Sequence, residues 1–345
     1  MPELSGIMDM RRGFAAGPGP APAQAHARSA AAHYHMSFLR SAAPTHQEIG
    51  LIPTQTAGAS GAAIQRIAAF SDGVSGGNPA GVWIGAQLPL DTEMQQLARE
   101  VGFSETVFAA PQANGAGWRV RYFSPATEVP FCGHATIALG AVLAREYGDG
   151  VYPLTLNRAA ITVEGRRDYQ AVGAHVELTG AALQSPPTHS RPADPALVAQ
   201  TLALFGYRDA DLDPRLPPGF AHAGADHLVI ALASRALLAA MHYELEAGRA
   251  LMAAHGLCTV VLAWAETPQL FHTRNPFAIG GVYEDPATGA GTAALAGYLR
   301  DLGWPHGGAI DVVQGEDMGM RSRLHADIPP APGSSIRVAG TARRL

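Results

Sequence analysis

Two apolar helices that each begin with glycine constrain the fold of this chain more than any other feature of its sequence. Residues 133–143 (GHATIALGAVL) and 289–299 (GAGTAALAGYL) share glycine, threonine, alanine and two leucines at matching positions. Common small residues would give some of these matches by chance, but the flanking spacings repeat as well. The repeated spacings run from Pro130 to Gly133 and Pro286 to Gly289, and from Arg121 to Cys132 and Arg274 to Asp285. The sequence therefore predicts an internal duplication, with two similar α/β halves facing each other across a cleft, where ligand sites concentrate.

Strand and helix patterns alternate along the chain from about residue 62 onward. The predicted helices are 91–102 with Asp91 as the cap, 133–148, 194–205, 234–254 and 289–303. The predicted strands are 62–70, 81–86, 105–110, 118–124, 151–157, 160–165, 174–180, 227–232, 258–265, 310–316, 320–328 and 334–340. A proline-rich stretch at 185–195 separates two series of elements. We therefore expect one half at 61–185 and the other at 186–345, with the final strands able to cross back to the first half.

Residues 1–60 differ in composition from the rest of the chain. They are rich in Ala, Gly and Pro without sustained apolar periodicity, so burial cannot offset the entropy of ordering them. The run Arg11-Arg12-Gly13-Phe14 is superficially similar to a twin-arginine export signal, but prolines 18, 20 and 22 interrupt the apolar stretch that such a signal requires. We expect a disordered extension, or an upstream translation start, outside the fold.

Composition argues against several classes of protein. With 24 basic and 29 acidic residues, the 345-residue chain carries a formal net charge of −5 and shows no basic stripe that would neutralise nucleic-acid phosphates. Its two cysteines, Cys132 and Cys258, cannot form a disulfide framework and form no CxxC zinc motif. No apolar run approaches the ~20 residues of a membrane-spanning helix. We therefore expect a cytoplasmic protein that binds neither nucleic acid nor membrane and holds no metal.

The start of each central helix is a predicted anion site. A glycine-rich start leaves backbone N–H groups without partners at the positive end of the helix dipole, here once in each half. Two such ends converging on one cleft suit a small carboxylate or an enolate-like charge, although glycine can also serve only to let each helix pack tightly. The spacing matches neither the dinucleotide-binding glycine motif nor the phosphate loop, so we do not expect nucleotide binding.

Few ionisable residues flank these helix starts, and the candidates for chemistry are Glu105, His134 and Asp285. Glu105 lies between Phe103 and Val107, an apolar setting where partial burial would suit a carboxylate for proton exchange. Ser104 can hydrogen-bond to this carboxylate or to a substrate. Each of the three also has a purely structural explanation, as a solvated carboxylate, a hydrogen-bonding histidine and a turn aspartate.

Cys132 directly precedes the glycine that opens the first helix. As a thiolate at a helix N-terminus it would serve as a nucleophile or an acid–base group, although a small buried cysteine is the commoner outcome. Cys258 begins a predicted strand, so we expect it in the core.

Several motifs in this order resemble the PhzF-like (phenazine biosynthesis) family. They are Phe70 with Gly77-Asn-Pro-Ala80, Ser104-Glu-Thr-Val-Phe108, Arg121-Tyr-Phe-Ser-Pro125, Glu128-Val-Pro-Phe-Cys-Gly-His-Ala-Thr136, Glu284-Asp-Pro-Ala-Thr-Gly289 and Val313-Gln-Gly315. Any one of them alone would be weak, but together they are specific and span about residues 64–340.

The resemblance implies an α+β fold with two pseudo-symmetric diaminopimelate-epimerase-like domains, each a barrel-like, mostly antiparallel sheet around a central helix. It also implies an enzyme without a cofactor and a homodimer. The best-known member isomerises trans-2,3-dihydro-3-hydroxyanthranilate. Its catalytic glutamate falls on Glu105, its supporting histidine and aspartate fall on His134 and Asp285, and the serine before the glutamate falls on Ser104. The family is similar to epimerases that need no pyridoxal phosphate, but it mostly lacks their pair of catalytic thiols.

We predict a cofactor-free isomerase of a small carboxylate, in which Glu105 moves a proton between carbons while His134 and Asp285 hold the substrate. The predicted substrate-binding residues are Ser104, Cys132, Gly133, Gly289, Ala290 and Gly291, and Ala290 departs from the family, which usually has serine there. Two alternatives stay open. One is an epimerase or racemase that uses Cys132 with a carboxylate, and the other is a non-catalytic small-molecule binding protein on the same scaffold.

Overall fold

The computed structural model describes residues 63–113, 115–167 and 178–345, and the extension predicted at 1–60 lies outside them. The first half contains β1 (Gln65–Ala69), β2 (Asn78–Ile84), α1 (Asp91–Val101), β3 (Glu105–Pro111), β4 (Trp118–Phe123), β5 (Glu128–Val129), α2 (Gly133–Tyr147), β6 (Gly150–Thr155), β7 (Ala160–Arg166) and β8 (Thr179–Pro187). The second half contains β9 (His189–Pro192), α3 (Pro195–Phe205), β10 (Gly219–His222), β11 (Asp226–Ala231), α4 (Arg235–Ala239), α5 (Leu245–His255), β12 (Thr259–Ala265), β13 (Leu270–Phe277), β14 (Val282–Asp285), α6 (Gly289–Leu302), β15 (Ala309–Gln314), β16 (Ser322–Asp327) and β17 (Ser335–Arg344).

The strands of the first half close into a barrel with the last strand of the chain. The order of neighbours around the barrel is β1, β2, β3, β4, β6, β7, β8 and β17, and β17 pairs again with β1. The β2–β3 and β4–β6 pairs are parallel, and the other pairs are antiparallel. This is the barrel-like, mostly antiparallel sheet that the resemblance implied.

Helix α2 fills this barrel. Every residue from His134 to Ala144 is buried, as expected for a helix that is apolar on all sides. Glycine allows the helix to contact the strands closely, because a Cβ on Gly140 would lie 2.5 Å from Val163 and a Cβ on Gly165 would lie 2.3 Å from the Gly140 carbonyl oxygen. The close packing fixes where the N-terminus of α2 lies.

The second half repeats this order of strand pairs. Strands β10, β11, β12, β13, β15, β16 and β17 pair in that order, with β11–β12 and β13–β15 parallel, as β2–β3 and β4–β6 are in the first half. Helix α6 corresponds to α2 and is buried from Gly291 to Arg300. The same order of parallel and antiparallel pairs in both halves confirms the internal duplication and the α+β class. Strand β17 belongs to both halves, since it pairs with β16 as well as with β8 and β1.

An arginine–glutamate pair precedes each central helix. Arg121 of β4 binds Glu128 of β5 through two hydrogen bonds of 2.7 and 2.6 Å. Arg274 of β13 binds Glu284 of β14 in the same bidentate way, at 2.9 and 2.5 Å. Two parallel N–H···O bonds fix the orientation of both groups. Each pair therefore anchors the short strand from which the chain turns into its helix.

Two local predictions are corrected by the structure. The helix predicted at 234–254 is two helices, α4 and α5, because the Glu244 side chain accepts hydrogen bonds from Glu246 and Ala247 N–H and so begins a new helix. Asp91 is not the cap of α1: the cap is Leu90, whose N–H donates to the Glu93 carboxylate, and Asp91 binds Arg121 instead.

The strand predicted at 174–180 is only partly described, because residues 174–177 lie outside the described ranges. The strand there, β8, is Thr179–Pro187, and it continues into the stretch interpreted as a proline-rich connector. Across residues 63–113, 115–167 and 178–345, we find no helix whose length and apolar character would suffice to cross a membrane.

Candidate active site

Glu105 lies where α1 has ended and β3 begins. Gly102 ends α1 in a left-handed conformation with φ of 72°, which favours glycine, and the chain then turns into β3. Glu105 pairs in parallel register with Ala80 of β2. Its side chain is 16% exposed, whereas Ser104 next to it is open to solvent. The carboxylate is therefore sheltered but still accessible to a small molecule.

The N-terminus of α2 brings Cys132 and His134 next to this carboxylate. His134 Nε2 lies 3.5 Å from Glu105 Oε2 and 3.4 Å from Ser104 Oγ, while His134 Nδ1 lies 3.4 Å from Cys132 Sγ. The imidazole thus stands between a carboxylate and a thiol, with one ring nitrogen toward each. Because an imidazole can accept a proton at one nitrogen and release one from the other, this arrangement can relay a proton.

The same three residues are a possible metal-binding group. Within the described residues, donor atoms of Glu105, Cys132 and His134 lie within 4.8 Å of one another, and these donor types are ones that Zn²⁺ accepts. However, the thiol lies closest to Nδ1 of the imidazole while the carboxylate faces Nε2. A metal would be held by one imidazole nitrogen together with the thiolate and the carboxylate, whereas a proton relay uses both ring nitrogens. In this structure each ring nitrogen has a partner, as a relay requires.

Cys132 is a buried neutral thiol. Burial, with a further contribution from the Glu105 carboxylate, raises the pKa of this thiol well above its usual value. The Cys132 carbonyl accepts a 2.7 Å hydrogen bond from the Thr136 hydroxyl, so the Tyr122 hydroxyl must be the donor in its own 2.7 Å contact with Thr136. The hydrogen bond to the Cys132 carbonyl holds this residue in place. The raised pKa of its thiol disfavours the thiolate, which the sequence had left open as a possibility.

Asp285 reaches this site from the second half, at the end of β14. Its Oδ1 accepts a 2.8 Å hydrogen bond from Asn78 Nδ2, and its Oδ2 accepts one of 2.6 Å from the Thr288 hydroxyl. Because Asn78 begins β2, the first of these bonds joins the two halves. Burial raises the pKa of the Asp285 carboxyl, and the Glu105 charge adds to this. His134 and the two hydrogen bonds oppose it.

The helix starts differ in how strictly they require glycine. A Cβ on Gly291 would lie 2.8 Å from Asn275 Nδ2, which is too close without movement of the amide. A Cβ on Gly289 or Gly133 would meet nothing nearer than 3.5 and 3.9 Å. Ala290 is partly exposed at the start of α6. The first internal bond of each helix is made by its fourth N–H, at Thr136 and Thr292, so the earlier N–H groups point out of the helix ends.

Three side chains that sequence reasoning gave no role complete the site: Asn78, Thr288 and Gln314. Gln314 ends β15, is fully buried and donates to the Asp285 carbonyl oxygen at 2.6 Å and to Thr288 Oγ1 at 2.9 Å. Asn78 and Gln314 stand in motifs that carried the family resemblance, which was the available signal. Asn78 and Gln314 hydrogen-bond to residues far away in the sequence, so the motifs alone could not indicate what these two side chains do.

Comparisons with known proteins agree with this architecture. Residues 67–344 match the family described as Phenazine biosynthesis-like protein. The trans-2,3-dihydro-3-hydroxyanthranilate isomerase of Pseudomonas aeruginosa is 31% identical over 284 residues, which cover 79% of this chain and 91% of that protein. An uncharacterized isomerase of Deinococcus radiodurans is 31% identical over 237 residues, covering 69% of this chain and 76% of that protein. The crystal structure of a PhzF-family phenazine biosynthesis protein from Bacillus anthracis has a TM-score of 0.70 at 20% identity, covering 82% of this chain and 96% of that chain.

The family match spans almost all of the described chain, and curated relatives more than 30% identical align over more than two thirds of it. Those relatives are named isomerases, and the fold of the two halves agrees with that of the PhzF-family structure. The chain therefore belongs to the phenazine biosynthesis-like protein family, and it is an isomerase.

Proposed function

We propose that this chain is an isomerase that works without a cofactor on a small carboxylate, and that Glu105 carries a proton from one substrate carbon to another. The observation that carries the proposal is the placement of a partly buried Glu105 carboxylate 3.5 Å from His134 Nε2, in a cleft that Asp285 reaches from the other half. The similarity to the Pseudomonas aeruginosa trans-2,3-dihydro-3-hydroxyanthranilate isomerase makes that compound the first substrate to test.

The proposed reaction is a proton shift with no change of oxidation state. The Glu105 carboxylate takes a proton from carbon, the electron pair of the broken C–H bond moves into the adjacent unsaturated system, and a double bond shifts. Glu105 then returns the proton to a different carbon, where a new C–H bond forms. A single positioned acid–base group contributes roughly 10²–10⁴-fold to such a step.

Helix N-termini support the binding of a carboxylate and of the charge that develops on it. The outward N–H groups at Gly133 in α2 and at Gly289, Ala290 and Gly291 in α6 are donors at the positive ends of two helix dipoles. Neither helix carries an acidic residue in its first turn, so no side chain competes for these donors. Donors aimed at a developing oxyanion lower the barrier to its formation.

Ser104, His134 and Asp285 complete the proposed substrate contacts. Ser104 is exposed next to the catalytic carboxylate, and His134 lies between that carboxylate and the Cys132 thiol. Cys132, which stays protonated, serves as a neutral hydrogen-bond donor rather than as the base. Because the Cys132 thiol stays protonated, we propose proton transfer by Glu105 and not an epimerase reaction that uses Cys132. We further propose a homodimer in the cytoplasm, and light scattering on the purified protein tests the dimer.

The test is turnover of trans-2,3-dihydro-3-hydroxyanthranilate by the Glu105→Gln variant. We expect kcat to fall by about 10²–10⁴-fold while substrate still binds, because the amide keeps the shape of the side chain but cannot accept the proton. Glu100→Gln, on the exposed face of α1, is the matched control and should keep full activity. Full activity in Glu105→Gln would show that Glu105 is not the base.

A further inference from the structure

We infer that Gln314 is a positioning residue: acting through the Thr288 hydroxyl, it orients the Asp285 carboxylate in the cleft. This inference rests on the proposed function only where it predicts an effect on catalysis. The hydrogen bonds from which it is argued are part of the fold and do not depend on which substrate binds.

The amide of Gln314 is committed to the segment between β14 and α6. Its Nε2 donates to the Asp285 carbonyl oxygen at 2.6 Å and to Thr288 Oγ1 at 2.9 Å, and its Oε1 accepts from Thr288 N–H at 3.1 Å. Both amide protons and the amide oxygen thus have partners. The chemistry of these partners fixes which way the amide points, because an N–H cannot donate to another N–H.

The Thr288 hydroxyl transmits this orientation. Its oxygen already accepts a hydrogen bond from Gln314, so its own proton is directed to Asp285 Oδ2, at 2.6 Å. Hydrogen bonds in such a chain polarise one another, which strengthens the last bond in the series. Because Asn78 donates to the other carboxylate oxygen, both oxygens of Asp285 are held, one from each half of the molecule.

The glycine after Gln314 explains why the two residues occur as a pair. Gly315 has φ of +71°, and a Cβ there would lie 2.6 Å from the Met320 carbonyl oxygen and 2.7 Å from the Pro286 carbonyl oxygen. Glycine therefore lets β15 end directly against the Asp285–Pro286 segment. Because the end of β15 lies this close to the Asp285–Pro286 segment, the Gln314 side chain can reach the Asp285 carbonyl oxygen.

The other groups that act on Asp285 do not depend on Gln314. Glu105 of β3 raises the pKa of the Asp285 carboxyl and His134 of α2 lowers it. The Asp285 charge acts in turn on the thiols of Cys132 and Cys258. Substitutions at Gln314 and Thr288 leave all of these groups in place, so a change in the titration of Asp285 reports the hydrogen-bond chain.

The test follows the titration of Asp285 in the full chain labelled with ¹³C-aspartate, with the resonance assigned by Asp285→Asn. Gln314→Met removes both amide donors without adding a charge, and we expect it to raise the titration midpoint by about 0.5 to 1 pH unit. Thr288→Val should raise it by a similar or larger amount, and Thr288→Ser should leave it unchanged. Gln269→Met is the control, because the Gln269 amide donates to the Pro305 carbonyl, and it should also leave the midpoint unchanged.

The double variant Gln314→Met/Thr288→Val decides whether Gln314 acts through Thr288. We expect its midpoint to equal that of Thr288→Val alone, because the route from Gln314 to the carboxylate is then already cut. Additive shifts, or no shift in Gln314→Met, would overturn the inference. Thermal unfolding of each variant confirms that the titrated protein is folded.

Kinetics with trans-2,3-dihydro-3-hydroxyanthranilate separate this inference from the proposed function. Gln314→Met should lower kcat about tenfold with KM within about twofold, since it misorients one of several substrate-contacting groups and leaves the helix N-termini proposed to bind the carboxylate in place. If the wild-type chain does not turn over this compound, the function proposed here is wrong for that substrate. The titration still decides the role of Gln314.

Discussion

The two halves of this molecule share a fold but differ in chemistry. Both wind the same order of parallel and antiparallel strands around a central helix, and both place a bidentate arginine–glutamate pair before that helix. Phe108 pairs with Arg121 and Leu262 pairs with Arg274, which sets the register between the halves. Counting back along β3 and β12 from these pairs places Glu105 and Thr259 at equivalent positions.

Residues at equivalent positions of the two halves differ in their chemistry. Thr259, which lies where the first half has the Glu105 carboxylate, is buried, and its hydroxyl oxygen lies 2.7 Å from His227 Nδ1. Ala290 takes the place of His134 as the second residue of the central helix. The glutamate and histidine of the proposed proton transfer are therefore present in the first half only, while the second half contributes Asp285. The proposed reaction needs only one base in the cleft, and the position equivalent to Glu105 in the second half holds a buried, uncharged threonine.

The largest expected difference between the halves concerns stability. Arg274→Met should lower the free energy of unfolding by about 3 to 5 kcal/mol, because it leaves the Glu284 charge buried without its partner. Arg121→Met should lower it by only about 1 kcal/mol, because Glu128 is more exposed and water can solvate it. Urea unfolding of both variants measures this. Equal losses would mean that the two pairs do not differ in burial as described.

A second difference between the halves depends on pH. Burial lowers the pKa of His227 to about 4, so the unfolded chain takes up this proton first as the pH falls below about 6.5. Stability is therefore lost between about pH 6.5 and pH 4, by up to about 3 kcal/mol from this residue. The residue of the first half at the position equivalent to His227 is Ala80, which pairs with Glu105 and has no titratable side chain.

His227→Asn isolates this effect, because asparagine can still bond to Thr259 but does not titrate. Urea unfolding of wild type and variant between pH 7 and pH 4 should show the variant gaining relative stability as the pH falls. His255→Asn, at an exposed position, serves as the control for acid effects elsewhere in the chain. A constant difference between wild type and His227→Asn across this range would contradict the assignment.

The smallest expected difference is at the helix starts. Gly291→Ala should cost about 1 to 3 kcal/mol, because the new methyl group would lie 2.8 Å from Asn275 Nδ2. Gly133→Ala meets no atom within 3.9 Å and should change stability by less than about 0.5 kcal/mol. Thermal unfolding compares the two. A larger loss at Gly133 would show that the start of α2 is more tightly packed than that of α6.

Much of the fold could be predicted from the sequence because its strongest signals are local or repeated. The two glycine-opened helices indicated the duplication, and the alternating pattern of residues 118–124 indicated a strand; the structure agrees with both. The arginine spacing is not repeated relative to the helices, because Arg121 lies 12 residues before Gly133 and Arg274 lies 15 residues before Gly289. The break between α4 and α5 escaped prediction, since it depends on the Glu244 cap and on the backbone carbonyls near Ala239 that bond to Arg274. The apolar pattern of residues 234–254 gives no indication that their backbone carbonyls contact an arginine as distant in the sequence as Arg274.

The candidate site, like the fold, could be predicted from the sequence only in part. Glu105, His134 and Asp285 could be singled out because ionisable residues are scarce near the helix starts. The hydrogen bond from Asn78 to Asp285 joins strands of different halves, and Gln314 reaches Asp285 from a third segment. Such contacts depend on how the halves pack, which the order of residues in one chain does not reveal.

The central claim is that a single glutamate in the first half moves the proton, and solvent deuterium tests it most directly. Wild-type protein incubated with trans-2,3-dihydro-3-hydroxyanthranilate in D₂O, with hydrogen positions followed by NMR, should give product in which the proton has moved to a new carbon, with partial solvent deuterium there. Glu105→Gln should give neither migration nor exchange, whereas Glu100→Gln should behave as the wild type does. Migration or exchange at the wild-type rate in Glu105→Gln would contradict the account.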